Sequence, residues 1–176
     1  MTIRKILTEP DPFLRQKSEP VEKVDDSIRK IMDDMLETMY DAPGIGLAAI
    51  QIGVPKRIIV LDISKDPEKK EPMYFVNPEK IYTSKDQATY EEGCLSVPGQ
   101  FAEIDRPDKC HIKYLDYNGD SKELKAEGLL ATCIQHEMDH LEGILFIDYL
   151  SKLKKTMIIK KPVSYTHLTL PTILLV

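Results

Sequence analysis

The run Gln135-His136-Glu137-Met138-Asp139-His140-Leu141-Glu142-Gly143 sets two histidines four residues apart with a glutamate directly after the first. On a helix, residues four apart share a face with Cβ atoms about 5–6 Å apart. His136 and His140 can therefore hold one metal ion, and Glu137, one step round, can address a water beside it. The apolar positions Leu129, Leu130, Cys133 and Ile134 precede the motif, so the helix is predicted to start near Glu127-Gly128. Gly143 closes it as a C-cap, and Ile144-Leu145-Phe146 returns to the core. A catalytic ion needs a third protein ligand, which must come from elsewhere in the chain.

By itself His-Glu-x-x-His suggests a zinc peptidase. The long metzincin pattern would accommodate Gly143 but needs a third histidine where this chain has Phe146. A thermolysin-like site needs a carboxylate well downstream, and the only acids after His140 are the nearby Glu142 and Asp148. The third ligand is therefore expected upstream, with Cys94 the best candidate. It sits in Glu91-Glu92-Gly93-Cys94-Leu95-Ser96-Val97-Pro98-Gly99, where glycines expose backbone and polar residues flank the thiol. Cys133, on the apolar face of the helix, and Cys110, beside a strand, read instead as small buried hydrophobes. A Cys/His/His set leaves a fourth position open, as catalysis requires.

Further upstream, Ile28, Ile31, Met32, Met35, Leu36 and Met39 recur at helical spacing from about Asp25 to Tyr40. Asp25, Asp26 or Ser27 can cap this helix, Pro43-Gly44 ends it, and the methionine stripe is read as core packing rather than as an adaptable binding face. Next in the chain is Gly44-Ile45-Gly46-Leu47-Ala48-Ala49-Ile50-Gln51. Its Gly-x-Gly-x-x-Ala spacing is formally a dinucleotide fingerprint, but that needs a strand before it and a long helix after it. Here a helix precedes it, and Gly53-Val54-Pro55 breaks any long helix on its C-terminal side, so the fingerprint is rejected. Two readings remain: a tight structural turn, which the stretch alone favours, and a close approach of backbone or ligand with Gln51 offering an amide donor.

Strands are expected at 57–62, 73–77, 80–83, 101–104 and 111–116, with Asn118-Gly119 as a hairpin turn before Leu124 and 64–72 as a charged surface loop. Pro10, Pro12 and Pro20 mark 1–20 as an extended arm, and a further helix is expected over about 148–161. The fold class is α+β: antiparallel β-sheets packed around a central helix bearing the His-Glu-x-x-His motif, with an N-terminal and a C-terminal helix. Residues 1–161 are read as one catalytic domain.

A hydrophobic fraction of 42% beside a charged fraction of 30% is ordinary for a globular chain and argues against general disorder. A net charge of −5 argues against nucleic acid as the main ligand. No signal-peptide pattern opens the chain and it has no run of 18 apolar residues, so a cytoplasmic protein without a membrane segment is expected. Three cysteines disfavour a disulfide framework. The last fifteen residues, Pro162 to Val176, carry no Asp, Glu, Lys or Arg; this composition break has two readings, a C-terminal strand and an uncharged tail of non-native sequence.

Three segments in this order, Gly44 to Gln51, Glu92-Gly93-Cys94-Leu95-Ser96 and Gln135 to His140, resemble the peptide deformylases, and the resemblance extends from about residue 3 to about 160. It implies removal of the formyl group from N-formylmethionine on nascent peptides. Cys94, His136 and His140 would hold the metal, typically Fe²⁺, although Zn²⁺, Ni²⁺ or Co²⁺ can occupy such a site. A metal-bound hydroxide would attack the formyl carbon with Glu137 as general base and then acid. The Gln51 amide and the Leu95 N–H would receive charge on the formyl oxygen. Ile45, Tyr90, Leu129, Thr132 and Cys133 would surround the methionine side chain, with the peptide laid as a strand beside Gly44–Gly46 and Gly93. Glu92 and Arg106 would form a supporting ion pair, and Gln135 and Asp139 would either support the site or lie on the helix surface. Partners would be the formylated nascent chain and the ribosome exit region, with the protein itself a monomer. The competing readings are a His-Glu-x-x-His zinc peptidase and a non-catalytic binding module stabilised by its metal.

Overall fold

The computed structural model describes residues 1–160 and the two-residue strand Leu174–Leu175. The uncharged tail falls outside the described residues, apart from the backbone of that strand. In chain order the elements are helix α1 (Asp26–Asp41), strands β1 (Gly46–Ala48), β2 (Ile58–Leu61), β3 (Met73–Thr83), β4 (Gln87–Cys94), β5 (Val97–Pro107), β6 (Lys109–Leu115) and β7 (Ser121–Glu127), helices α2 (Gly128–Leu141) and α3 (Lys152–Lys160), and β8 (Leu174–Leu175). Single 3₁₀ turns occupy Pro12–Arg15, Ala49–Ile52 and Phe146–Tyr149.

Strand β2 shows why the layers form as they do. Ile58-Ile59-Val60-Leu61 has no polar residue, and all four are buried, as a strand covered on both faces requires. Successive side chains point to opposite faces. Ile58 and Val60 pack with Met32, Met35 and Met39 of α1, whereas Ile59 and Leu61 pack with Ala131, Cys133, Ile134, Met138 and Leu141 of α2. Neighbouring strands divide likewise, Leu47 and Val76 toward α1 and Ala48 and Phe75 toward α2. The methionine stripe is thus core packing, with Met32, Met35 and Met39 fully buried.

The sheet between the helices has the order β1-β2-β3-β6-β7, and every pairing in it is antiparallel. A second sheet, β5-β4-β8, lies on the far side of α2; β4 and β5 are antiparallel, and β8 runs parallel to β4 at Glu92 and Gly93. Cys94, Val97, Ile104, Leu145, Phe146 and Ile147 form its core. This is the expected α+β class, with α2 buried from Ala131 through Leu141 at its centre.

Details differ from the sequence expectation for local reasons. The strands expected at 73–77 and 80–83 are one strand, β3, because its register against β6 shifts between Val76 and Glu79 and absorbs Asn77, at φ 51°, without ending the ladder. Gln87–Cys94 was not expected as a strand: it alternates exposed and partly covered positions only to Glu91, and Glu92, Gly93 and Cys94 are all buried. Cys94 consequently stands at a strand end before a tight turn, not in a loop. The last helix begins only at Lys152, after the 3₁₀ turn.

Helix α2 ends in a Schellman motif: Gly143 N–H bonds His140 C=O at 3.1 Å and Ile144 N–H bonds Asp139 C=O at 3.0 Å, with Gly143 at φ +75°. A Cβ there would lie 2.3 Å from the Arg15 carbonyl oxygen, whereas one at Gly53, φ +80°, would meet nothing within 4 Å. An alanine in left-handed backbone costs about 1–2 kcal/mol. Gly53→Ala should lose about that much stability in urea unfolding, and Gly143→Ala distinctly more; equal losses would show that the Arg15 carbonyl moves aside freely.

Candidate metal centre

Two rises in the chain nearly match. Four helical residues advance about 6 Å and two strand residues about 6.6 Å. Gly128, Thr132, His136 and His140 form one stripe of α2, and Tyr90, Glu92 and Cys94 one face of β4. The two rows run side by side. Glu92 and Cys94 keep this step against His136 and His140: His136 Nδ1 meets Glu92 Oε2 at 2.8 Å and His140 Nε2 meets Cys94 Sγ at 3.4 Å. The Tyr90 hydroxyl does not follow it and reaches Gly128, 3.7 Å from where a Cβ would stand.

Cys94, His136 and His140 are buried, and their donor atoms lie within 4.8 Å of one another. Tetrahedral bonds of about 2.0–2.1 Å to nitrogen and 2.3 Å to sulfur put donors about 3.3–3.6 Å apart, so the Cys94–His140 spacing is already that of two ligands on one ion. His136 Nε2 is buried without a hydrogen-bond partner. With Nδ1 engaged by Glu92, the ring presents Nε2 as its free donor. The donors fit a divalent cation.

Buried electrostatics agree. Burial, reinforced by the Glu137 charge, pushes the Cys94 thiol far up. Burial, with His136 adding to it, pushes His140 well below the ordinary imidazole range, so the ring is a neutral lone-pair donor. Burial also lifts the Glu137 carboxyl well above the usual carboxylate range, with the Glu92 charge next in effect. Both Glu137 oxygens are buried without partners. A cation between these groups would draw off the thiol proton and compensate the carboxylate.

Burial alone would raise Glu92, but bonds from His136 and Arg106 outweigh it and hold its carboxyl below the ordinary range. Arg106 Nε and Nη2 donate to the two Glu92 oxygens at 2.6 and 3.0 Å, and Nη1 donates to Asp139 Oδ2 at 2.8 Å. The expected ion pair is therefore bidentate, and its Glu92 holds the His136 ring by Nδ1. Asp139 belongs to this network, while Gln135 donates to the Pro107 and Ala131 carbonyls and ties α2 to β5.

Gln51, from the 3₁₀ turn, accepts from the Ala48 N–H at 2.9 Å through Oε1, which forces Nε2 the other way. Nε2 donates to Ser96 Oγ at 2.9 Å and reaches Cys94 Sγ at 3.6 Å. Gly46 lies on the Glu137 carboxylate: a Cβ there would be 2.6 Å from Oε1 and 2.7 Å from Leu61 Cδ2. The close approach expected at the glycine-rich turn is thus to Glu137.

Ile45, Leu129 and Cys133 share the cluster on the α2 side of the sheet, and Thr132 is fully buried with Oγ1 unpartnered. Leu95 follows Cys94 and packs with the α1-side cluster instead. Gly93 makes room for the Phe101 ring, which a Cβ would meet at 2.5 Å. A cavity of about 350 Å³ opens beside Gly44 and Ile45, walled by Tyr40, Asp62 and Lys70. Roles here for the Ser96 hydroxyl, the Phe146 ring and the Tyr149 hydroxyl were not foreseen; Ser96 ends one motif segment and Phe146 stands at the metzincin third-ligand position, but no spacing in the sequence marks Tyr149.

Comparison with known proteins places the chain among relatives of one family. The family model described as polypeptide deformylase matches residues 3–156. A peptide deformylase of Pelagibacter ubique is 71% identical over 163 residues, covering 92% of this chain and 94% of its own. One from Phenylobacterium zucineum is 63% identical over 161 residues, covering 92% and 95%. Among crystal structures, the peptide deformylase of Ehrlichia chaffeensis in complex with actinonin superposes with a TM-score of 0.87 at 48% identity, covering 91% of this chain and 95% of that one.

The Glu92 contact generates a direct expectation. In Glu92→Gln an amide must face Arg106 and the His136 N–H at once, and its NH₂ opposes one of these donors. Affinity for Co²⁺ or Zn²⁺ should fall about 10–100-fold, read by competition with a chromogenic chelator. Unchanged affinity would mean that Glu92 does not orient His136.

Proposed function

The chain belongs to the polypeptide deformylase family and is a hydrolase that removes the N-formyl group from nascent polypeptides, and we propose that Cys94, His136 and His140 hold its metal while Glu137 moves the proton. One observation carries this assignment: three buried metal donors within 4.8 Å beside a buried carboxylate with both oxygens unpartnered. When bound there, a divalent ion lowers the pKa of a water from about 15.7 toward 7 and polarises the formyl oxygen.

Glu137 takes a proton at a carboxylate oxygen as water attacks the formyl carbon, and its burial makes it basic enough to do so. Gly46 and Leu61 wall it against the site, so its carboxylate stays aimed. Negative charge then grows on the formyl oxygen, where Gln51 Nε2 and the Leu95 N–H donate; one such donor is worth about 3–4 kcal/mol in a transition state. Ala48 and Ser96 hold the Gln51 amide in the orientation this requires. Glu137 finally returns its proton to the departing amine.

Substrate enters on a strand edge. Strand β1 is the edge of its sheet, so Ile45–Gly46 can pair with a peptide backbone; Gly93, on a strand paired by β5 and β8, contributes only its lack of a side chain. Ile45, Tyr90, Leu129, Thr132 and Cys133 receive the methionine side chain. A thiolate with two imidazoles suits Fe²⁺, and also Zn²⁺, Ni²⁺ or Co²⁺; the native ion of this reading is Fe²⁺. No described helix is long and apolar enough to cross a membrane. The protein acts as a cytoplasmic monomer near the ribosome exit region, without reading nucleic acid.

A formyl-methionyl tripeptide assay with metal analysis tests the assignment. Wild type deformylates; Cys94→Ala loses metal and activity; Glu137→Gln keeps metal and loses about 10²–10⁴-fold in kcat. Full activity in Glu137→Gln, or metal retained by Cys94→Ala, would sink it. In Gly46→Ala the new methyl displaces Glu137 while the metal donors stay put, and a shift near 1 Å costs up to about 10²-fold. Its kcat should fall at unchanged metal content; loss of metal instead would place Gly46 in the structural frame alone.

A further inference from the structure

Phe146 occupies the position where a metzincin would carry its third histidine, and its ring lies against His136, centroids 6.3 Å apart and planes 24° apart. Tyr149 comes three residues later on the same 3₁₀ turn, where side chains three apart eclipse one another. Its hydroxyl donates to Asp139 Oδ2 at 2.6 Å, the oxygen that also takes Arg106 Nη1. The ring covers the Arg106 guanidinium at 4.9 Å. Tyr149 is 51% exposed, yet both its hydroxyl and its ring face are committed to this buried network. Burial and then the bond to Asp139 push its phenol up to about 12, so near neutrality it keeps the proton it donates to Asp139.

We propose that the Phe146–Tyr149 turn is a clamp that fixes His136 for metal binding, and that Tyr149 is a positioning residue acting through Asp139, Arg106 and Glu92. Phe146 restrains the imidazole face. Tyr149 restrains its edge: hydroxyl to Asp139, Asp139 to Arg106, Arg106 to Glu92, Glu92 to Nδ1. Without the hydroxyl, Asp139 keeps one donor, and the guanidinium that bridges both carboxylates can turn toward solvent. Asp148 steadies the turn itself, accepting from Leu145 N–H at 3.0 Å and pairing with Arg15 and Lys155.

This rests on His136 being a metal ligand, which metal binding by the wild type tests separately. Tyr149→Phe keeps the ring over Arg106 and removes only the hydroxyl. Co²⁺-loaded wild type, Tyr149→Phe, Asp139→Asn and the double variant are compared for the rate of metal loss to a chelator, the thiolate and ligand-field absorption bands, melting temperature, and kcat against KM. Tyr82→Phe, on an exposed side chain far along β3, serves as control. Tyr149→Phe should lose Co²⁺ about tenfold faster, shift the ligand-field bands, and lower kcat with KM and melting temperature nearly unchanged. The double variant should be no worse than Asp139→Asn alone, because both act along one path. Wild-type metal loss and spectrum in Tyr149→Phe, or additive effects in the double variant, would overturn the proposal.

Discussion

The match between four residues of α2 and two residues of β4 is the constraint on which the rest depends. It brings Glu92 to His136 and Cys94 to His140, across a register shift between Gly93 and Cys94 in the pairing with β5, so candidate ligands 46 residues apart in sequence lie 3.4 Å apart in space. A rigid frame is needed because ligand geometry tolerates only tenths of an ångström. The sheet supplies it. Strand β2 buries both faces, one against each helix, so α2 is located by a continuous apolar layer. The candidate metal site thus inherits its precision from packing that contains none of its own donors, only Cys94's neighbour Leu95 and the proposed pocket residues Ile45, Leu129 and Cys133.

Charge is the cost of this arrangement. Glu92, Arg106, Asp139 and Glu137 are all at least nine-tenths buried, and uncompensated charges in such surroundings are expensive. Arg106 answers two of the three carboxylates with three directed hydrogen bonds. Glu137 has no such partner. That asymmetry fits the proposed division of roles, in which paired carboxylates hold geometry and the unpaired one takes up and releases a proton. The same logic applies to the donors, since the thiol and His140 are held neutral by burial until a cation reverses the balance.

Packing at the glycines refines what the site can do. Gly46 is a seat for the Glu137 carboxylate and Gly93 a seat for the Phe101 ring, so both glycines of these motifs serve close side-chain approach. Gly46 leaves the backbone of edge strand β1 at a position where an incoming peptide can add, whereas Gly93 lies on β4, which is paired on both sides by β5 and β8.

Much of this was legible in residues alone. His136, Glu137 and His140 are local: helical periodicity puts them together whatever the rest of the chain does. Phe146 and the lack of a distant downstream acid turned the search for a third ligand upstream to Cys94, and the order of the three segments gave the family resemblance. The methionine stripe and the Gly143 cap are likewise periodic or local features. What only the tertiary structure decided is everything that joins non-local partners. Strand β4 was invisible because its alternation is weak, and with it the pairing of Tyr90, Glu92 and Cys94 to one helical stripe. The bidentate Arg106, the Ser96 support of Gln51 and the Tyr149 hydroxyl lie on separate elements with no common period. Hydrophobic patterning and turn chemistry act over a few residues and so can be read along the chain; which side chains then meet is set by how whole layers stack.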